Sequence, residues 1–299
     1  MNPLHFHAGQ VALVGRPNVG KSTLVNALVG RKVSIVTAKP QTTRHRILGV
    51  VNRPQAQLVL VDTPGLHESA RRVMNKYMNR VAISSSQDAD VILFVIEAMR
   101  FTEEDMWVWE RVRGLKQPLF LVVNKVDRVF PKGELLPFLE DMTTRVSASG
   151  IVPISAQDTD NLERLVDLVG ARLPVAPPLF AADVVTDRDE PFHAAEIVRE
   201  KLTLKLREEL PYGINVQIER FAYENNRLMI NAVIWVERAG QKAIVIGQGG
   251  ERLKEIGRLA RIELNDLWQR SVHLELWVKV KENWADSEMA LRQFGYQTL

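Results

Sequence analysis

The octapeptide Gly15-Arg16-Pro17-Asn18-Val19-Gly20-Lys21-Ser22 follows the pattern G-x-x-x-x-G-K-[ST], and it stands between an apolar strand pattern at residues 11–14 and an apolar helix pattern at 24–28. That setting separates a working phosphate loop from a chance match. Glycines at 15 and 20 let the backbone turn tightly, so that successive N–H groups converge on one anion and the following helix adds its positive end. Lys21 is expected to reach the β- and γ-phosphates and Ser22 to hold Mg²⁺, with Thr23 completing the phosphate-binding run. The ligand this pattern implies is a nucleoside triphosphate.

The base is specified about a hundred residues later, where the apolar run 119–123 ends in Asn124-Lys125-Val126-Asp127. An Asp carboxylate accepts from the N1–H and exocyclic amine of guanine, whereas adenine presents a bare acceptor at N1 that would repel it. Guanine is therefore expected, with Asn124 tying this loop to the phosphate loop and the stem of Lys125 covering the base. Asp62-Thr63-Pro64-Gly65 follows the strand pattern 58–61; Asp62 can reach Mg²⁺ through a water and the Gly65 N–H can meet the γ-phosphate. Pro40-Gln41-Thr42-Thr43-Arg44 lies in a stretch without periodicity, where Thr43, preferred over Thr42, is the expected metal ligand. Loops held only by the γ-phosphate and its metal let go on hydrolysis, so both segments are switch candidates. Ser155-Ala156-Gln157, after the strand pattern 151–154, offers Ser155 and Ala156 as backbone support for the base.

The first 61 residues hold no Asp or Glu against eight Lys or Arg, and Asp62 is the first acid of the chain. Such a field suits a triphosphate. The surplus at Arg31, Lys32, Lys39, Arg44 and Arg46 raises two expectations, that the first switch loop touches RNA phosphate or that it is a solvated basic loop. Net charge over all 299 residues is only +3, too small to imply a bulk polyanion partner. Absence of cysteine excludes disulfides and thiolate metal sites. No run reaches the ~20 apolar residues that span a bilayer, and the first residues lack a signal peptide's apolar core, so a cytoplasmic location is expected.

Short apolar strands alternate with helical patterns up to about residue 173, which predicts an α/β domain at 1–173, a mostly parallel sheet with helices on both faces. Prolines at 174, 177, 178 and 191 predict a semi-rigid linker at 174–191. The order α-β-β-α-α-β follows over 192–284, beginning with a helix at 192–210, and a short tail occupies 285–299. Between two of those helices lies Gly247-Gln248-Gly249-Gly250, and inside this order it predicts an α+β type II KH domain. There Ile246 would form a floor for unstacked bases, and Arg252, Lys254, Arg258 and Arg261 on the next helix would line the groove. From Pro191 onward 16 basic residues face 15 acidic ones, so RNA binding must rest on local geometry; the remaining cations read as paired with Glu at helical spacing. Trp235, Trp268, Trp277 and Trp284 read as core or its rim. The six histidines are scattered, with no pattern of a catalytic base.

G-R-P-N-V-G-K-S, Q-T-T-R-H, D-T-P-G, N-K-V-D and S-A, followed by the G-x-G-G module, together resemble the Era family, bacterial Ras-like GTPases of small-subunit ribosome assembly. The resemblance covers almost the whole chain. It implies a monomeric P-loop GTPase that uses GTP/GDP and Mg²⁺, whose KH domain binds the 3′ end of 16S ribosomal RNA in the 30S subunit, with peripheral association with the cytoplasmic membrane. Ras-like enzymes place a water-orienting Gln directly after the D-x-x-G glycine; here stands Leu66. In the related GTPases with an Asn at the position of Asn18, that Asn helps bind K⁺, so slow, K⁺-stimulated hydrolysis is implied, with Lys21, Thr43, Gly65 and Asn18 as the residues bearing on catalysis. Gln248 replaces a Lys frequent in the family's glycine loop. A GTPase with an added RNA-modifying site and an RNA scaffold with a dead pocket are the rival readings.

Overall fold

The structure is a computed structural model that describes residues 6–68, 72–206 and 213–296. These divide into two compact units, the first holding residues up to 68 and Asn75–Asp187, the second Arg72–Met74 and the chain from Arg188.

In the first unit strands β1 (His7–Val14), β2 (Ile47–Arg53), β3 (Ala56–Asp62), β4 (Val91–Glu97), β5 (Leu119–Asn124) and β6 (Gly150–Pro153) form one sheet in the order β2-β3-β1-β4-β5-β6. Every neighbouring pair is parallel except β2 and β3. Strands buried on both faces need continuous apolar runs, and Val91–Glu97 reads VILFVIE. Its alternate side chains feed two cores. Leu93 and Val95 join α1 (Lys21–Val29) and α5 (Leu162–Gly170), while Ile92, Phe94 and Ile96 join α2 (Val73–Asp88), α3 (Glu103–Val112) and α4 (Leu135–Arg145). The expected sheet with helices on both faces is borne out. Its loops after β1, β3, β5 and β6 all open at the carboxyl edge, where ligands of such sheets bind.

Residues 174–187 do not hang free as a linker. They are strapped to the sheet: Ala8 N donates to Pro174 O, Val50 N to Val185 O, and Leu48 N to the Asp187 carboxylate. Gln57, only 1% exposed, donates to Phe180 O and accepts from the N–H groups of Leu179 and Phe180. Proline bars helix but leaves carbonyls free to pair along a sheet. Pro191 in turn sits inside the first turn of the next helix, where its missing N–H costs nothing, and Asp189 caps that helix through Phe192 N.

In the second unit α6 (Glu190–Lys205), α7 (Ala239–Ile246) and α8 (Glu251–Trp268) accompany strands β7 (Ile214–Glu224), β8 (Arg227–Val236) and β9 (Val272–Val280). The sheet order is β7-β8-β9, with β7–β8 antiparallel and β8–β9 parallel. Its core joins Ile197, Val198 and Leu202 of α6 and Ile256, Ala260 and Leu264 of α8 to Ile230, Ala232 and Ile234 of β8. Of the expected first helix, residues 207–210 lie outside the described residues. A further helix, α9 (Glu288–Gln293), belongs to the stretch read as a tail. Trp284 and Tyr296 on its flanks are buried, Trp284 Nε1 donating to Gly213 O and the Tyr296 hydroxyl to Asn215 Oδ1. Among the described residues no helix is long and apolar enough to cross a membrane.

Candidate nucleotide and nucleic-acid sites

Four loops meet at the carboxyl edge of the first sheet, and Asn124 joins three of them. Its side chain, at the end of β5, is 2% exposed. Nδ2 donates to Val19 O of the phosphate loop, while Oδ1 accepts from Lys125 N and from Ala156 N beyond β6. Gly20 is what lets Asn124 approach: a Cβ there would fall 2.3 Å from Asn124 Nδ2, on a backbone with φ near +97° that side chains resist. Asp127 is oriented by the Ser155 hydroxyl, which donates to Asp127 Oδ1 at 2.7 Å and accepts from Asp158 N. Ser155 therefore acts through its side chain, where backbone support was expected.

On the phosphate side, Lys21 Nζ donates to Gly15 O and Arg16 O. Burial pushes its ammonium down to about 8, and Arg16 adds to this against the pull of Asp62 and Asp105. A buried ammonium at the end of the phosphate loop suits a polyphosphate anion. Gly65 lies so close to the phosphate loop that a Cβ would meet Pro17 N at 2.9 Å, and the next residue, Leu66, donates its N–H to Gly15 O. Leu66 itself is 1% exposed in the core, so no side chain follows Gly65 into the site. Thr63 Oγ1 fastens this segment to Leu13 O.

Thr43, not Thr42, turns to the site. Its hydroxyl lies 2.8 Å from Ser22 Oγ and donates to Asp62 Oδ2 at 3.5 Å, whereas Thr42 is engaged with Thr37 and Lys39 O. Three oxygen-bearing side chains thus converge, and Asp62 Oδ1 is buried with no hydrogen-bond partner. Burial raises the Asp62 carboxyl, opposed by Ser34, Ser22, Lys21 and Thr43. Hard oxygen donors with one orphaned carboxylate oxygen fit Mg²⁺. Asn18 bridges from the phosphate loop to the switch loop through Nδ2 to Ala38 O. Arg44 is 2% exposed, so it is not presented to RNA phosphate in this state, contrary to the expectation for that residue.

Arg16 points away from the loop mouth, its Nε on Asp105 and a terminal nitrogen on Glu97. Asp105 also closes the capping box of α3 with Thr102, and Glu97 also pairs with Lys125. Burial alone would push the Glu97 carboxyl up, but the hydrogen bonds and charges of Lys125 and Arg16 hold it below its ordinary value. Glu97 links phosphate loop and base loop, Asp105 links the phosphate loop to α3, and sequence reasoning missed both. The T-x-x-D box at 102–105 was the visible signal.

In the second unit a groove of about 470 Å³ opens beside the glycine loop, lined by Gly250, Leu253, Gly257, Leu274 and Leu276 with Lys254, Arg258 and Arg261. Its apolar floor comes from α8 and β9; Ile246, the expected floor, packs instead on the core. Arg252 turns back to donate to Ile244 O, closing the end of α7, and does not line the groove. Gly247 and Gln248 are not among the lining residues, and Gln248 and Gly249 are exposed at the loop tip. Arg199 pairs with Glu196 at the helical spacing expected, whereas Lys205 with Glu255, Arg270 with Glu190 and Lys279 with Glu219 pair between segments distant in sequence. Trp284 is fully buried, whereas Trp277 is 43% exposed on the sheet face away from α8.

A guanine-selective phosphate-loop fold followed by an α-β-β-α-α-β module with a basic-rimmed groove defines a P-loop GTPase carrying a KH domain. Family models agree, one described as a 50S ribosome-binding GTPase matching residues 10–125 and one for KH domains matching 209–285. The chain is 56% identical over 291 residues to a GTPase Era of Stenotrophomonas maltophilia, covering 97% of this chain and 98% of that protein. It is 50% identical over 297 residues to one of Pseudomonas aeruginosa, covering 99% and 97%. The chain belongs to the GTPase Era family. Among solved structures it resembles an Era crystallised with MgGDPNP and nucleotides 1506–1542 of 16S ribosomal RNA, and an Aquifex aeolicus Era variant bound to GDP and AlF4⁻. Each shows a TM-score of 0.95 and 42% identity over 98% of this chain and 100% of that one.

Proposed function

We propose that this chain is a GTP-hydrolysing switch that grips the 3′ end of 16S ribosomal RNA in its KH groove and assists assembly of the 30S subunit. The observation that carries the reading is the pairing, in one chain, of an Asp127–Ser155 base clamp with a groove of apolar floor and cationic rim. In support stands the solved relative that holds both MgGDPNP and a 16S fragment.

In this reading the phosphate-loop N–H groups and Lys21 cradle the β- and γ-phosphates, and Asp127 takes the guanine edge. Ser22, Thr43 and Asp62 would hold Mg²⁺, which would neutralise charge developing on the phosphates. Gly65 presents its N–H to the γ-phosphate. With Leu66 in the core, the attacking water is aligned by main chain, which accounts for slow hydrolysis. Departure of the phosphate removes what Thr43 and Gly65 hold, and the two switch loops relax. A membrane contact would rest on family resemblance alone, since Trp284 and Tyr296 of the last described segment are turned inward.

Two experiments test this. A fluorescent RNA of the 16S 3′ end is titrated with protein loaded with GDP, with a non-hydrolysable GTP analogue, or without nucleotide. Affinities should separate, and a Lys254→Ala/Arg258→Ala variant should lower the salt slope by about two units. Equal affinities in all three states with an unchanged slope would remove the reading.

The second concerns K⁺. Asn18 spends its amide nitrogen on Ala38 O, which leaves the amide oxygen for a cation. Replacing Na⁺ by K⁺ should raise the rate of phosphate release at least several-fold, and Asn18→Ala should lose that gain. Stimulation that survives in the variant would assign the cation elsewhere.

A further inference from the structure

Strand β4 is apolar from Val91 to Ile96 and ends, at the carboxyl edge of the sheet, on Glu97. One oxygen of that carboxylate, Oε2, lies 3.2 Å from a terminal nitrogen of Arg16 and 3.2 Å from Lys125 Nζ, and all three side chains are mostly buried. A cation of the phosphate loop and a cation of the base loop thus share a single acceptor. Without it, two like charges would face each other. Arg16 has a second acid, Asp105, on its Nε. Among the described residues Lys125 has Glu97 alone as an ion-pair partner.

Lys125 is fixed at its other end as well. Its N–H donates to Asn124 Oδ1 and its carbonyl accepts from Arg128 N, on a backbone with φ near +67° that side chains resist. Backbone of that kind persists where the surroundings impose it, and it clusters at ligand sites. With main chain and ammonium both tied, the four-carbon stem between them has little freedom left.

We propose that Glu97 is a positioning residue for the base: by holding the Lys125 ammonium, it keeps the stem of that lysine laid out as a platform for guanine before the nucleotide arrives. The inference rests on the guanine-nucleotide reading above and deepens it. A free lysine gives up rotamer freedom each time it covers a ligand, at a cost of roughly tenfold in affinity for one long side chain. Glu97 removes that cost in advance. Its carboxylate pairs with Arg16 and Lys125, and with none of Lys21, Thr43, Gly65 or Asp62. Binding should therefore feel its loss, and the chemical step should not.

The test is a mutant cycle in the full-length protein. Glu97→Gln keeps the size of the side chain and an oxygen for Arg16 but removes the charge, and Lys125→Met keeps the stem without the ammonium. GDP affinity is read by displacement of mant-GDP, and KM and kcat are read from phosphate release. Glu97→Gln is expected to weaken GDP binding and raise KM for GTP by roughly tenfold, with kcat within about twofold of the wild type. In the Lys125→Met background it should have no further effect. Asp105→Asn, which touches Arg16 and not Lys125, is the comparison, and its loss should add to that of Lys125→Met. Should Glu97→Gln fail to fold, Glu97→Asp carries the same cycle, its shorter reach giving a smaller loss that must likewise vanish with Lys125→Met.

Additive losses of Glu97→Gln and Lys125→Met overturn the inference, as does a fall in kcat at unchanged KM. Equal non-additivity for Asp105→Asn overturns it too, since it would mark a role through Arg16 and the fold of the loop. A wild type that bound ADP as tightly as GDP would bring down the guanine reading itself; in a wild type that prefers GDP, these outcomes bear on Glu97 alone.

Discussion

Asp127→Asn is expected to weaken GTP binding by roughly two orders of magnitude and to turn the protein towards xanthosine triphosphate. Guanine offers two donors on its Watson–Crick edge, and a carboxylate accepts both; an amide in its place sets N–H against N–H and leaves buried donors unpaired. Losing a charge-assisted pair of this kind costs on the order of 3 kcal/mol, about a hundredfold in affinity. The orientation of the new amide is set beforehand. Ser155 Oγ donates to the first carboxylate oxygen and would hold the amide oxygen there, which leaves Nδ2 to face the base. Xanthine presents N1–H and a C2 carbonyl, the complement of that arrangement. Competition of GTP and XTP for bound mant-GDP reads the swing directly, and a variant that still prefers GTP would show that the base lies elsewhere.

The second large effect is expected at Asn124. Alanine there strands Val19 O, Lys125 N and Ala156 N, three backbone groups in a site where Asn124 itself is 2% exposed. Each unsatisfied group costs about 1–3 kcal/mol. A total of about 3 kcal/mol or more corresponds to a fall of roughly 10 °C in the melting temperature of a unit this size. The GDP affinity should fall with it, because the phosphate loop and both base loops lose their common fastening. Gly20→Ala pushes on the same amide from the other side. Double-mutant analysis should therefore give markedly less than the sum of the single effects. Additive losses in differential scanning fluorimetry would show that the two residues do not share one contact.

Much of the nucleotide site was legible because each of its residues answers a fixed ligand. A phosphate needs converging N–H groups and a guanine needs a carboxylate, so spacing alone carried Gly15 to Ser22 and Asn124 to Asp127. The strands were equally plain, since burial on both faces demands continuous apolar runs such as that of β4. What escaped were contacts between parts distant in sequence. Nothing in the text around Arg16 says that its partners are Glu97 and Asp105. The KH groove divides in the same way. Its glycine loop was readable as a motif, but its floor depends on how Leu274 and Leu276 of β9 face Gly257 across the packing of α8, which only folding decides. Arg252 was misassigned because a cation near a groove and a cation closing a helix end look alike in one dimension.

The stretch stapled across β2 and β3 also bears on where the first half of this protein can be cut. Ending the chain at Leu173, as its prolines invite, would leave the amide of Gln57 and the N–H groups of Leu48, Val50 and Ala8 without the acceptors and donors they now have. A fragment of the nucleotide half that keeps these bonds is therefore expected to extend to Asp187. A fragment trimmed short of it exposes a raw sheet flank that invites self-association.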